Sequence, residues 1–199
     1  MSVAVAERRR LSPEERREEL LQFGHEFFAE HAFDAFSMDE IADMAGVSRG
    51  LLYHYFGGRR GFYLATVAHA ADGTIAAMER ARGNGDTIDV LAVLDGFVGY
   101  VHDNAGIYKA VIHGGFASDE VADVETDRVR DYIFNLALGY ACIEHPSDLE
   151  RIALRGWIAF IEMATAEWVD QQAVTRTEFV ELMASNLLSI FRQLHIDVS

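Results

Sequence analysis

The sequence predicts an all-α protein of about nine helices. Only two prolines, Pro13 and Pro146, interrupt the 199 residues, so long stretches are free to form helix. Apolar residues recur at spacings of three and four, and no stretch alternates convincingly enough to predict a strand. Serine or threonine followed three positions later by glutamate recurs along the chain, which is the capping-box pattern of helix starts.

Each of the first three predicted helices begins at a serine that can cap it, and the second and third helices are short. Residues 12–15 (SPEE) combine a capping box with proline at the first helical position and predict a helix over 13–31. A second capping box at 37–40 (SMDE) predicts a short helix that ends at Gly46, because glycine suits the left-handed residue after a helix. Ser48 can cap a third helix that reaches about residue 55.

The middle of the chain alternates helices with glycine-rich breaks. FGGRRG at 56–61 is a break, and a fourth helix is predicted over about 59–80. ARGNGD at 81–86 is the clearest linker. Residues 89–102 are apolar nearly all round, which predicts a helix buried inside a bundle. A short helix is predicted over 107–113.

Three further helices complete the prediction. The first runs over 118–143 and has acidic residues at its start, where they favour the helix dipole. Capping boxes at 147–150 and 175–178 begin helices over 147–169 and 175–194.

Composition narrows the class of protein. Half of the residues are hydrophobic, but no apolar run approaches the roughly 20 residues that span a bilayer. The single cysteine, Cys142, excludes an internal disulfide framework and fits a reducing compartment. We therefore expect a soluble cytoplasmic protein with no membrane partner. The net charge of -15 argues at first against a nucleic-acid partner.

The charge distribution weakens that objection. Residues 1–60 carry eight arginines against eleven acids, whereas the remainder carries nine basic and 21 acidic residues. Charges more than about 8 Å away are largely screened at physiological salt. The excess acidity therefore lies away from the stretch over 37–56.

That stretch predicts a helix-turn-helix. Its two helices are too short to be stable alone and must pack. The turn AGV at 45–47 matches the glycine-containing turn of this motif. Inward-facing residues are expected to be Ile41, Ala42, Ala45, Val47, Leu52 and Phe56, and outward-facing ones Ser48, Arg49, Gly50, Leu51, Tyr53 and His54.

The outward set suits the major groove of DNA. Arg49 can make a bidentate contact to guanine, and Leu51 can meet a thymine methyl group. Hydroxyls such as those of Tyr53 and Tyr55 can bind phosphates, which sets register without reading sequence. Further expected contacts come from Ser37, from Gly50 through close backbone approach, and from the positive charge of Arg59 and Arg60. His54 is either a base reader or a solvent-facing bystander, and Arg8, Arg9 and Arg10 form either a DNA-contacting arm or a disordered tail.

The segment FSMDEIADMAGVSRGLLYHYFGGRRGFYLA resembles the DNA-binding domain of the tetracycline-repressor (TetR) family, and the resemblance covers about 12–66. It implies a DNA-binding domain over 10–70, with its helix-turn-helix at about 37–56, and a helical ligand-binding and dimerisation domain over 71–199. It also implies a prokaryotic homodimer on a palindromic operator, associated with the nucleoid when bound. By the same resemblance, Tyr53, Tyr55 and Arg59 touch phosphates.

The sequence departs from the family pattern at several positions. Leu51 stands where threonine is usual, so a hydroxyl contact is lost. Gly24 and His25 replace apolar residues of the first helix. Gly58 and Gly61 are expected to loosen the start of the fourth helix and with it the placement of Arg59.

The second domain is expected to enclose an apolar pocket for an unknown small molecule. Asn104, His113 and Glu162 can orient a ligand or can be satisfied polar groups. For any single lining residue, the alternative is an ordinary core position. The expected lining is Phe97, Tyr100, Val101, Tyr108, Ile112, Tyr132, Trp157, Phe160 and Ile161.

The last two helices are the expected homodimer surface, and the alternative is that they pack only on their own subunit. Small residues would let helices approach closely, and large apolar residues would supply area. The small residues are Ala153, Gly156, Ala159 and Ala164, and the large ones are Trp157, Trp168, Phe179, Met183 and Leu187.

The expected function is a transcriptional repressor released from its operator by a small apolar ligand, with no cofactor and no metal. An alternative is a helical ligand-binding or adaptor protein that no longer reads DNA. An enzyme is disfavoured because the sequence contains no GxSxG, HExxH, P-loop or CxxC motif, and its histidines have no recognised ligand spacing.

Overall fold

The computed structural model describes residues 11–31, 35–85, 87–112 and 120–198, with side chains from 123 onward in the last range. These residues form nine α-helices and no strand, as the sequence predicts. The helices are α1 Pro13–Glu30, α2 Met38–Met44, α3 Arg49–Phe56, α4 Arg59–Arg82, α5 Val90–Asp103, α6 Ala105–Ile112, α7 Glu120–Tyr140, α8 Asp148–Gln171 and α9 Arg176–Gln193. None of them is both long and apolar enough to cross a membrane.

Four of these helices begin with a complete capping box, in which cap and glutamate each bond the other's backbone. The caps are Ser12, Ser37, Ser147 and Thr175. The helix ends are less well predicted. α6 begins two residues earlier than expected because it follows the cap of α5 directly, and α7 ends three residues earlier, ahead of a left-handed residue at Cys142.

The first core joins α1, α2, α3 and the beginning of α4. Ile41 and Leu52 are fully buried in it, and Phe56 is nearly so, as the helix-turn-helix pattern predicts. Phe28 and Phe62 pack there with ring centroids 5.5 Å apart. We call α1, α2 and α3 the head. Its core also takes in Ile107 from α6, so the head rests on the second half of the chain.

The second core lies among α4, α5, α7, α8 and α9. Val98 of α5 and Leu154 of α8 are completely buried in it. α5 is apolar nearly all round because most of its surface packs inside the bundle.

α4 belongs to both cores. Phe62 and Val67 pack in the first, and Met78 packs in the second. The helix is unbroken over 24 residues and crosses the boundary predicted at residue 70. The two parts of the molecule therefore share one helix.

Candidate nucleic-acid interface and cavity

The turn between α2 and α3 is held by backbone hydrogen bonds. Gly46 has a φ of 66°, and its N–H donates to the carbonyl of Asp43 at 3.1 Å. The next N–H, of Val47, donates to the carbonyl of Ala42 at 3.0 Å. Since a positive φ suits glycine, this residue lets α3 leave α2 at an angle. Ser48 then caps α3 by accepting from the N–H of Leu51 at 3.2 Å.

The outer face of α3 is open. The side chain of Arg49 is 62% exposed, and Tyr53 is 40% exposed. His54 and Gly50 are also exposed, and Leu51 is half-buried. A Cβ added at Gly50 would meet no atom within 4 Å. The face that the sequence assigns to DNA therefore points away from the protein.

Arg49 is held in place by two neighbours. Its Nη1 lies 3.0 Å from Oδ2 of Asp39, and its guanidinium carbon lies 5.2 Å from the centroid of the Tyr53 ring. The carboxylate and the aromatic face together orient the guanidinium beside the first turn of α3. Sequence reasoning missed Asp39, because only the packing of α2 on α3 brings residues ten apart together.

Ser37 caps α2 in this structure. Its hydroxyl donates to Oε2 of Glu40 at 2.8 Å and accepts from the Glu40 N–H at 3.3 Å. The hydrogen bonds from the backbone and side chain of Ser37 hold the pKa of Glu40 below its usual range. A phosphate contact from Ser37 remains a prediction, and it would be made beside this carboxylate.

The start of α4 is tightly fitted to α3. Nη1 of Arg59 donates to the carbonyl of Phe36 at 3.0 Å, which ties its half-buried side chain to the loop before α2. A Cβ on Gly61 would lie 1.9 Å from the carbonyl oxygen of Phe56, the last residue of α3. Gly61 therefore permits close contact between the helices, and the expectation of a loosened helix start is corrected.

The two departures in α1 also have packing reasons. A Cβ on Gly24 would lie 2.4 Å from Oγ1 of Thr66, whose hydroxyl donates to the carbonyl of Phe62 at 2.9 Å. His25 is buried, and its Nδ1 lies 3.2 Å from Oδ1 of Asn104. Gly24 therefore leaves room for α4, and the side chain of His25 reaches Asn104 at the end of α5.

Tyr55 is half-buried and packs against the core of the head, which leaves its edge partly accessible. The arginine arm expected at residues 8–10 lies outside the described residues, as does His113. Among the described residues, no group of three or more histidine, cysteine or acidic side chains could hold a metal ion.

A cavity of about 590 Å³, measured to its open mouth, lies between α4, α5, α6 and α7. Its wall is mainly apolar, as is typical of small-molecule sites. Five of the nine residues expected to form a pocket line it: Phe97, Tyr100, Val101, Tyr108 and Ile112. The sequence did not single out the contribution of α4, which includes Val67, Ala71 and Thr74.

The other four expected residues lie elsewhere. Trp157 and Ile161 line a smaller neighbouring cavity of about 390 Å³, and Tyr132 packs against the second core. Phe160 is 37% exposed on the outer side of α8. The helix turns about 200° between Phe160 and Glu162, the α8 residue that does reach the main cavity, so the two face opposite directions.

Polar groups are few at the cavity and are bonded to each other. The hydroxyl of Tyr108 donates to the carbonyl of Glu162 at 3.0 Å, and the carboxylate of Glu162 pairs with Nε of Arg130 at 2.9 Å. Burial raises the pKa of Tyr108 and raises that of Tyr100 to about 12, so both remain neutral. The cavity therefore offers apolar walls with neutral hydroxyls, the amide of Asn104, and two carboxylates, Glu125 and Glu162, that are each paired with an arginine.

The outer face of α8 carries four exposed large apolar residues, and it differs from the predicted dimer surface. The large residues predicted for that surface, Trp157, Trp168, Phe179, Met183 and Leu187, are buried in their own subunit. The small residues Gly156 and Ala159 are exposed as expected, and Ala153 and Ala164 are half-buried. The exposed large residues are instead Leu149, Ile152, Phe160 and Met163 on α8 and Leu182 on α9.

Comparison with known proteins extends the resemblance seen in the sequence. Residues 20–66 match the family model of bacterial regulatory proteins, tetR family. The chain is 33% identical over 134 residues to the HTH-type transcriptional activator FasR of Mycolicibacterium smegmatis, a match that covers 64% of this chain and 61% of FasR. It is 32% identical over 65 residues to the HTH-type transcriptional repressor AcnR of Corynebacterium glutamicum, covering 33% of this chain and 32% of AcnR.

The fold is shared with solved structures over nearly the whole chain. A tetR-family transcriptional regulator from Streptomyces coelicolor superposes with a TM-score of 0.74 at 26% identity, covering 92% of this chain and 85% of that one. The match over 20–66 contains the helix-turn-helix, and the superposition includes the bundle that holds the cavity. The chain therefore carries a helix-turn-helix segment that matches the tetR family of bacterial regulatory proteins, on a fold shared with a solved tetR-family regulator.

Proposed function

We propose that this protein is a transcription regulator that binds a palindromic DNA operator as a homodimer and responds to a small, mainly apolar ligand. The observation that carries the proposal is the open outer face of α3, with Arg49 oriented and Gly50 free of neighbours. An α-helix fits the major groove of B-form DNA, and an oriented guanidinium matches the two acceptors of guanine.

Some of the proposed contacts would read the base sequence, and the others would position the protein on the DNA backbone. Arg49 and the half-buried Leu51 are placed to meet base edges, the former a guanine and the latter a thymine methyl group. The exposed hydroxyl of Tyr53 and the charges of Arg59 and Arg60 are placed to meet the phosphates on either side. Tyr55 would add a phosphate contact through the accessible part of its side chain.

The α8 face supports the homodimer. Leu149, Ile152, Gly156 and Met163 recur at helical spacing along one side of a 24-residue helix, and no atom approaches within 4 Å of a Cβ placed on Gly156. A two-fold axis through this face would present two α3 helices to successive major grooves about 34 Å apart. Each dimer would then bind two half-sites.

The cavity supports control by a ligand. α4 lines it through Val67 and Thr74, and the same helix carries Arg59 at its first position. A ligand that changes the position of α4 would therefore change the placement of α3. A difference in ligand affinity of about 1–3 kcal/mol between the two arrangements would change operator affinity about 5–150-fold.

Selection from a random pool of DNA duplexes tests the proposal. We expect enrichment of a sequence with two-fold symmetry, bound at physiological salt. The related proteins are named as an activator and a repressor, so the direction of control is read from a reporter gene placed behind the selected sequence. Absence of any enriched sequence at low salt would reject DNA reading and favour the adaptor alternative.

A further inference from the structure

A chain of four polar side chains leads from the cavity wall to α1. Asn104 lines the cavity, and its Oδ1 lies 3.2 Å from Nδ1 of His25. Nε2 of His25 lies 3.1 Å from Nδ1 of His69 on α4, and Nε2 of His69 lies 2.7 Å from Oε1 of Glu18. We call Asn104, His25, His69 and Glu18 the relay. It begins at the cavity and ends on the head.

The geometry decides where the protons of the first two members are. Nδ2 of Asn104 donates to the carbonyl of Tyr100 at 2.9 Å, which fixes the amide and leaves Oδ1 as an acceptor. Nδ1 of His25 must therefore carry the proton. Burial lowers the pKa of His25 against the opposing effect of the bond to Asn104, so its ring is neutral and Nε2 is an acceptor.

The next member, His69, faces an acceptor on each side. Nδ1 meets Nε2 of His25, and Nε2 meets the carboxylate of Glu18, which can only accept. Both hydrogen bonds form only when the ring of His69 carries two protons. A neutral His69 keeps one of them, unless His25 moves its own proton to Nε2 and loses the bond to Asn104.

We propose that the relay couples occupancy of the cavity at Asn104 to the hold of α4 on α1. A ligand with an N–H or O–H donor would take Oδ1 of Asn104. His25 can then carry its proton on Nε2 and donate to His69, which becomes a neutral ring that donates to Glu18. The second proton of His69 passes to solvent, so binding of such a ligand releases one proton.

Other charged groups around His69 are compensated. Asp72, one turn further along α4, pairs with Arg128 of α7 at 2.7 Å. Tyr100 of α5 is neutral because burial raises its pKa to about 12. Asp103 and Glu26 border the polar cleft beside His25 and face solvent. Glu18 is therefore the carboxylate that meets His69 directly.

Nitrogen NMR of the histidine rings tests the relay without DNA. In the wild-type protein we expect the proton of His25 on Nδ1 and protons on both nitrogens of His69 at pH 6. Asn104→Ala should reduce the Nδ1-protonated form of His25 to less than half, whereas Asn104→Asp, which keeps an acceptor, should restore it. Asn135→Ala, on the exposed side of α7, is the control. Wild-type His25 protonated on Nε2, or a tautomer unchanged by Asn104→Ala, overturns the relay.

A second measurement tests the coupling to the head, and this part rests on the proposed function. His69→Ala removes both hydrogen bonds that His69 makes to α1, so it should change affinity for the selected operator at least about threefold. His195→Ala, on the exposed C-terminal segment, should leave that affinity unchanged. Equal operator affinities for His69→Ala and wild type would reject the coupling even if the NMR arrangement holds. Failure to select any operator would instead reject the proposed function and leave the NMR result standing.

Discussion

At the scale of single residues, the orientation of Arg49 by Asp39 is the feature that most affects DNA reading. We predict that Arg49→Ala lowers affinity about 5–150-fold for each half-site of the selected operator and relaxes the preference for guanine at one position of each half-site, because a bidentate pair contributes about 1–3 kcal/mol of discrimination. Asp39→Ala should cause a smaller loss, since it removes only the orientation. Fluorescence anisotropy against the operator and single-base variants measures both.

The exposed arginine Arg192 on α9 provides the control. Arg192→Ala removes the same charge at a helix that packs on α5 and α8, so its affinity should match wild type. An equal loss in Arg49→Ala and Arg192→Ala would mean that net charge, and not base contact, determines binding.

Two glycines, Gly50 of α3 and Gly61 of α4, form a matched pair for a second prediction. Gly61→Ala places a methyl group against the carbonyl of Phe56 and should lower the free energy of unfolding by about 1–3 kcal/mol, as overpacking does. Gly50→Ala fills open space on α3 and should leave stability unchanged while weakening operator binding. Thermal unfolding and anisotropy separate the two effects. A stable Gly61→Ala protein would show that α3 and α4 can move apart freely.

Residue roles were predicted where they depend on local pattern and missed where they depend on packing. Arg49 and Tyr53 could be placed on the outer face because Leu52 and Phe56 fix the register of an eight-residue helix. Asp39 could not be assigned, because its partner lies on another helix. Ser37 caps α2 as its capping box predicts, and its phosphate contact stays a prediction.

At the scale of helices, the apolar outer face of α8 predicts self-association. The wild-type protein should elute at twice 22.2 kDa in size-exclusion chromatography with light scattering. Ile152→Asp places a charge where the side chain is 69% exposed in the monomer, and it should shift the mass to that of one chain. Leu91→Asp, at a residue of α5 that is 48% exposed, is the matched control and should remain a dimer. Dissociation by neither variant would place the dimer interface elsewhere.

Helix starts were predicted well because a capping box depends only on four consecutive residues of the sequence. The faces of α8 were not, because aromatic residues occur on both sides of it. Trp157 is buried and Phe160 is exposed, although both are large aromatic residues of the kind found in protein cores. Only the neighbours α5, α6, α7 and α9 decide which side is covered.

At the scale of the whole molecule, the net charge of -15 predicts little non-specific DNA binding. Two arginines of each protomer, Arg59 and Arg60, would give four phosphate contacts in a dimer. The logarithm of the association constant should then fall with the logarithm of salt concentration with a slope of about -4. Anisotropy between 50 and 200 mM potassium chloride measures it. A slope near zero would show that phosphate contacts contribute little.

The division into two parts was predicted from the family resemblance, but the structure joins the parts through α4. Val67 belongs to the first core and lines the cavity, and Met78 belongs to the second core. Because α4 packs in two cores, its apolar residues do not follow a single helical stripe. Its contribution to the cavity could therefore not be predicted from the sequence pattern.

The uninterrupted length of α4 acts as a lever arm. Twenty-four residues at 1.5 Å each make a rod of about 36 Å, pressed near its middle by whatever fills the cavity. A tilt of about 5° would displace one end by about 3 Å relative to the other, roughly the length of a hydrogen bond. A displacement too small to disturb packing around Thr74 would thus suffice to carry the tip at Arg59 out of register with a phosphate.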